Sequence, residues 1–175
     1  MKKKLLLHIC CAPCSASAVA ALKTQYDISF YWYNPNIYDK EEYGKRKDCA
    51  VRYAKELGFV FFEEKDFIYD YNLWKNKSAE NCALCYKLRL AKTAEFAKNN
   101  GFDFFSTSLL SSPYQKHDII KQTALECAAA CGVNFLYKDF RPGFYEGKNS
   151  LRRAGYYLQK YCACRKSYEE RFNKQ

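Results

Sequence analysis

The chain has 175 residues, enough for one core-forming domain without disulfide staples, and 49% are hydrophobic, which excludes a disordered chain. Twenty-nine Lys and Arg against 19 Asp and Glu leave a net charge of +10, and 18% of residues are aromatic, a balance that points to a polyanion, nucleic acid first. No apolar stretch approaches the ~20 residues of a membrane span, and ten Cys fall short of a secreted disulfide scaffold.

The opening MKKKLLLHICCA imitates a lipoprotein signal, but its apolar stretch is short and holds His8. Strand and helix sequence follow at once, so the chain reads as cytoplasmic, where thiols stay reduced. Residues 4–9 (KLLLHI) form a buried strand, and SASAVAALKTQ after Pro13 a helix. ISFYWY at 28–33 is a second strand and NPNIYD a loop. Residues 40–57 carry apolar or small side chains at 43, 50, 54 and 57 and read as a helix ended by Gly58. FVFF at 59–62 is a third strand, followed by a helix over 66–75 and a polar loop over 76–81. A strong helix over 84–98 ends at Asn99, Asn100 and Gly101, and FDFFSTS at 102–108 is a fourth strand. Pro113 opens a helix that runs to residue 131 and closes at Gly132, before a fifth strand, VNFLY, at 133–137. From 139 the chain is polar and helical in two short pieces.

Strands alternating with helices predict a parallel sheet of about five strands with helices on both faces. No linker, repeat or low-complexity segment divides the chain. It is expected to be a single domain over 1–175, with an α/β core over about 1–138 and a helical C-terminal segment over about 139–175. Such sheets bind ligands beyond the carboxyl ends of their strands, at the switch point.

The cysteines sort into two kinds. Cys49, Cys127 and Cys131 lie inside helical patterns, where Cys packs as a small hydrophobe. Cys10, Cys11 and Cys14 sit where the first strand turns into a helix, Cys82 and Cys85 form a CxxC entering another helix, and Cys162 and Cys164 form a CxC near the end. Adjacent thiols have no packing reason to recur with a CxxC and a CxC. Thiolates at helix N-termini have lowered pKa values, which favours ligation. Soft sulfur ligands select zinc, cuprous copper or an iron–sulfur cluster. Either zinc or a 4Fe-4S cluster takes four ligands and leaves a surplus for a second metal or redox site. Cys11-Ala-Pro-Cys14 also suits a dithiol oxidoreductase, although that chemistry needs none of the other cysteines.

LLLHICCAPCS, YNPNIYDKEEYGKR, CALCYKLRLAKTAEFAKNNGFDFFSTSLLSSPYQK, KDFRPG and YLQKYCACRKSYEER, in that order, resemble the QueH family of epoxyqueuosine reductases over nearly the whole chain. The resemblance implies a Rossmann-like fold of the HUP group. It implies a two-electron deoxygenation of epoxyqueuosine to queuosine at the wobble position of tRNA. It also implies a 4Fe-4S cluster held by Cys10, Cys11, Cys82 and Cys85 and a redox-active pair, Cys162 and Cys164. Cys14 falls where family members carry Cys or Asp, and could replace one of the four or bind a second metal ion, iron or zinc. The family usually has Gly between the last two cysteines, where this chain has Ala163.

Removing an epoxide oxygen as water takes two electrons and two protons. One 4Fe-4S cluster cycles by one electron, so a second store or sequential delivery is needed: the Cys162/Cys164 dithiol, which gives up two electrons by closing to a disulfide, or a second metal fed one electron at a time by a donor partner. Closing so small a ring strains the disulfide and makes the dithiol a weaker reductant. Proton donors are sought among His8, His117, Tyr43 and Tyr114. The anticodon stem-loop of tRNA is the expected polyanion. Lys45, Arg46, Lys47, Arg89, Lys116, Arg141, Arg152, Arg153, Lys160, Arg165 and Lys166 are candidates for its phosphates, and Ser106, Thr107 and Ser111 for its hydroxyls or phosphates. An ATP-using enzyme of the PP-loop kind is disfavoured, since HICCAPC has no Gly with which to cradle phosphate. A zinc-stabilised nucleic-acid-binding module is the other alternative.

Overall fold

The computed structural model describes residues 1–64 and 80–172, with the side chains of 80 and 81 excepted. The helix expected over 66–75 and most of the loop over 76–81 lie outside the described residues. In chain order the elements are β1 (Lys3–His8), α1 (Ala12–Leu22), β2 (Tyr26–Trp32), α2 (Lys40–Leu57), β3 (Phe61–Glu63), α3 (Glu80–Asn99) and β4 (Phe104–Thr107). A 3-10 turn (Ser108–Ser111), α4 (His117–Cys131), β5 (Asn134–Phe135), a second 3-10 turn (Arg141–Gly143), α5 (Phe144–Arg153) and α6 (Arg165–Phe172) complete the chain. Since α3 starts at Glu80, the last two residues of the expected loop are helical.

The five strands pair in parallel in the order β3-β2-β1-β4-β5. β1 is central, and Leu5, Leu6 and Leu7 are wholly buried, the continuous apolar run of a strand covered on both faces. Its register sets Leu5 beside Ile28 and Phe104, and His8 beside Tyr31 and Thr107. Neighbouring β2 residues show the two layers: the Phe30 ring packs on Tyr53 of α2, and the Tyr31 ring packs on Phe96 of α3. Right-handed crossovers give that division, with α1 and α2 on one face and α3 and α4 on the other. α5 returns to pack on α1.

One boundary differs in a way that shapes the site. The expected helix over 113–131 starts only at His117. Ser112, which precedes Pro113, is held in extended backbone, as a residue before proline tends to be. Its hydroxyl and carbonyl take the N–H groups of Tyr114 and Gln115, so the chain turns before α4 begins.

α1 and α5 approach closely because small residues face each other. A Cβ on Gly147 would stand 2.9 Å from Ala16 Cβ and 3.1 Å from the Ser17 nitrogen, with no flexible group to yield. Gly147→Ala is therefore expected to destabilise the fold by about 1–3 kcal/mol despite its better helix propensity. Gly44→Ala in α2, where a Cβ meets nothing within 4 Å, is expected to stabilise by about 1 kcal/mol. Urea unfolding of both variants checks the opposite signs.

Candidate metal centre

Strand order reverses between β1 and β4, so the connections leaving them diverge and open a crevice beyond His8 and Thr107. The sulfur-rich turn falls there. The Cys10 N–H donates to the Ser108 hydroxyl at 3.2 Å, bridging the two strand ends, and the same hydroxyl lies 3.6 Å from Cys10 Sγ. Cys11 caps α1, its sulfur accepting the Cys14 N–H at 3.3 Å, and one helical turn returns Cys14 beside it. The sulfurs of Cys10, Cys11 and Cys14 all lie within 4.8 Å of one another.

The opposite walls carry the other cysteines. A cleft of about 580 Å³ is lined by Cys10, Cys14, Cys82 of α3, and Cys162 and Cys164 of the segment before α6. Cys85 stands beside the same cleft, its sulfur accepting from Arg89 at 3.7 Å. Three remote stretches of chain thus bring sulfur to one place, and all ten cysteines are free. Cys49 and Cys127 are buried and Cys131 half-buried in helices elsewhere, as expected.

Two buried guanidinium groups sit among these sulfurs. Arg46 is 3% exposed, pairs with Glu42 at 2.6 Å and donates to the Tyr161 carbonyl at 2.7 Å. Arg89 is 2% exposed and donates to Asn34 Oδ1 at 2.8 Å, while its Nε has no partner. Among the described residues no carboxylate pairs with Arg89. A buried cation requires a counter-charge, and the groups facing it are sulfurs: Cys85, Cys10 and Cys162. Burial pushes Cys85 up and Cys164 pushes Cys162 up, which leaves Cys10 as the thiolate of the three. Hydrogen bonds from Cys11 and Cys14, helped by Arg89, hold the Cys10 thiol well below its ordinary value. Burial pushes Cys11 up, and the bond to Cys10 pushes Cys14 up. The triad thus favours one thiolate shared among three sulfurs. An all-sulfur donor set beside an unpaired guanidinium fits an anionic thiolate-bound metal or cluster.

Several expected site residues have other work. Ser106 is buried and donates to the Leu136 carbonyl at 2.9 Å, joining β4 to the end of β5. Thr107 caps the 3-10 turn by accepting the Leu109 N–H, and Ser111 is wholly buried. None of the three lines the cleft; the serines that do are Ser108, Ser112 and Ser167. β4 ends one residue earlier than expected, which moves the cleft-lining hydroxyls along the chain. Arg46 and Arg89 line the cleft as buried structural charges rather than phosphate contacts. Arg141 is held by Asp139 at 2.6 Å outside the cleft.

His8 is not a proton donor. Burial, then Arg89, lowers its pKa to about 3. Its Nε2 lies 3.2 Å from the Tyr33 carbonyl, which can only accept, so Nε2 carries the proton and Nδ1 accepts from the Thr107 hydroxyl at 2.9 Å. His117 contacts Tyr137 at 3.1 Å away from the cleft, and the Tyr43 hydroxyl takes the Trp32 indole N–H. Tyr114, Lys116, Lys160 and Lys166 do line it. Sequence reasoning missed Lys148 and Phe144 on the rim, and two amides aimed at sulfur: Gln159 donates to Cys14 at 2.9 Å and Gln115 to Cys162 at 3.5 Å. Their proximity in sequence to SSP and to the CxC was the available signal.

The family model for epoxyqueuosine reductase QueH matches residues 5–170. Epoxyqueuosine reductase QueH of Dehalococcoides mccartyi is 36% identical over 99% of this chain and 97% of its own length. That of Thermotoga maritima is 30% identical over 97% of this chain and 93% of its own, and that of Haemophilus influenzae 33% identical over 92% and 70%. A tRNA thiolase, NcsA, of Methanococcus maripaludis, solved with its 4Fe-4S cluster, superposes at a TM-score of 0.45 with 13% identity, over 97% of this chain and 81% of that one.

Ala163, between the last two cysteines, is wholly buried at φ +88°, the left-handed region that favours glycine. Its carbonyl accepts the Tyr38 N–H at 2.9 Å, which fixes the turn. Ala163→Gly is expected to leave stability within about 1 kcal/mol of the parent, because relief of about 1–2 kcal/mol of backbone strain offsets a lost methyl worth about 0.8 kcal/mol. Ala163→Val puts branched bulk at the same angle and is expected to cost more than about 2 kcal/mol. Chemical denaturation of the two variants separates these outcomes.

Proposed function

The chain belongs to the QueH family of epoxyqueuosine reductases, and we propose that it removes the epoxide oxygen of epoxyqueuosine at the wobble position of tRNA as water, giving queuosine. The observation that carries this reading is the convergence of the three cysteine stretches on one cleft with a lysine-bearing rim. Cys10, Cys11, Cys82 and Cys85 would hold a 4Fe-4S cluster, with Cys14 as the spare donor for a second ion, iron or zinc. Such a cluster, when bound, supplies electrons one at a time.

The chain's own residues do the rest. Cys162 is exposed at the mouth of the cleft, and Cys164 beside it pushes its thiol up, so Cys162 rests as a thiol. Closing the pair to a disulfide releases two electrons and two protons, the amounts that an epoxide needs to become an alkene and water. A reduced electron-transfer partner then restores the dithiol. Arg89 and Arg46 hold positive charge beside the thiolates, and Gln159 and Gln115 orient Cys14 and Cys162. Lys116, Lys148, Lys160 and Lys166 draw the phosphates of the anticodon stem-loop to the mouth. Among the described residues no helix is long and apolar enough to cross a membrane. A reduced thiol set that acts on tRNA suits work in the cytoplasm.

Anaerobic purification is expected to yield a brown protein with matching iron and sulfide, which turns over epoxyqueuosine-tRNA. Cys10→Ser and Cys11→Ser should lose iron, sulfide and activity together. Cys162→Ser and Cys164→Ser should keep the iron and sulfide but lose turnover. A colourless zinc protein, or turnover without iron, overturns the reading. Binding of tRNA is expected to weaken steeply with salt, log affinity falling by roughly 0.7–0.9 per phosphate contact per tenfold rise in salt; a flat response removes the phosphate contacts.

A further inference from the structure

We propose that Tyr114 and Tyr145, braced on Phe144, form a stacking ledge for the unpaired anticodon-loop base that neighbours the modified nucleotide. The proposal rests on the tRNA substrate proposed above and names the part of it that these residues grip. Tyr114 is 76% exposed and Tyr145 59% exposed, a costly display for rings this large. Tyr114 lines the cleft that holds the sulfurs. Phe144 is buried against Cys10, Cys11 and Cys14. Its ring meets Tyr114 edge-on at 6.3 Å and Tyr145 edge-on at 5.2 Å. The two tyrosine hydroxyls lie 3.3 Å apart, which couples a ring of the turn before α4 to a ring of α5. One buried ring therefore separates the sulfur triad from two exposed, mutually fixed aromatic faces.

Lys148 stands 5.8 Å over the Phe144 ring, and Lys116 lines the same wall. Aromatic faces among cations are how proteins hold single-stranded RNA, with rings for bases and lysines for phosphates. A paired stem offers no free base face, whereas a loop does. When the modified base is turned into the cleft, its neighbour loses a stacking partner. A tyrosine face one ring away from the sulfurs is placed to replace that partner. The rings are already fixed to each other, so little freedom is lost on binding.

The test is fluorescence anisotropy of a labelled, unmodified anticodon stem-loop RNA with the purified full chain. Tyr114→Ala is expected to weaken binding about tenfold, within the range for one base–aromatic stack, and Tyr145→Ala severalfold. Tyr114→Phe is expected to recover most of the affinity, since the ring and not the hydroxyl makes the contact. Binding of a fully paired RNA duplex of equal length should not change, and neither should the melting temperature, because the rings are exposed. Parent-like affinity of both alanine variants, an equal loss on the duplex, or no measurable binding of the loop by the parent overturns the ledge; the first of these redirects the surface to a protein partner. Turnover of epoxyqueuosine-tRNA by the parent is measured separately. Its absence alongside a ring-dependent loop affinity refutes the enzymatic reading and leaves the ledge standing, and turnover with flat affinities does the reverse.

Discussion

The reversal of strand order between β1 and β4 is the constraint on which the site depends. Two parallel strands whose connections leave in opposite directions cannot close the space beyond their ends. Whatever follows β1 must line that space, and here Cys10 and Cys11 follow it. The bond from the Cys10 N–H to Ser108 ties the two diverging segments together at the point where they part. Because Pro113 delays α4, the segment after β4 stays in turns long enough to supply Ser108, Ser112, Tyr114 and Gln115 to the same wall. A helix starting at Pro113 would take Tyr114 and Gln115 out of that turn.

The second layer of the arrangement is electrostatic. The C-terminal segment has little core of its own and is held to α2 by polar contacts. Arg46 donates to the Tyr161 carbonyl, the Tyr157 hydroxyl donates to Glu42, and Arg52 donates to the Ala154 carbonyl at 3.2 Å. Tyr156 also reaches Glu56. Of these, the Glu42–Arg46 pair is buried, where breaking one partner leaves an uncompensated charge. Its geometry sets the residue immediately before Cys162. A basic side chain that composition assigns to phosphate thus serves to register one sulfur pair against another.

How far the sequence disclosed this can be argued from particular residues. The strands were legible because β1 carries the apolar run Leu5, Leu6 and Leu7 and β2 the run Phe30, Tyr31 and Trp32, and the left-handed caps at Gly58 and Gly132 are local signals. The cysteines were legible because unusual spacing does not depend on tertiary context. The basic and hydroxyl residues were not, because burial decides their role and burial is a property of the fold. Arg46, Arg89, Ser106, Thr107 and Ser111 all have the right chemistry for RNA and are all enclosed. His8 looked like an acid next to the ligands until its two ring nitrogens proved to be bonded within the sheet. The end of β4, one residue before Ser108, was a boundary too fine for pattern alone.

The two sulfur sets differ in how they are held, and that difference suits the roles proposed for them. Cys10, Cys11 and Cys14 sit on the end of the central strand and the first turn of a helix, where hydrogen-bonded backbone fixes every sulfur. A metal site needs such fixity, since its ligands must meet one geometry. Cys162 and Cys164 lie in irregular backbone around a left-handed Ala163, held by side chains rather than by a ladder. A thiol pair that must form and break a bond needs room for its sulfurs to approach and part. The pair is held through α2 and the triad through β1 and α1, so the two sets are anchored to different elements.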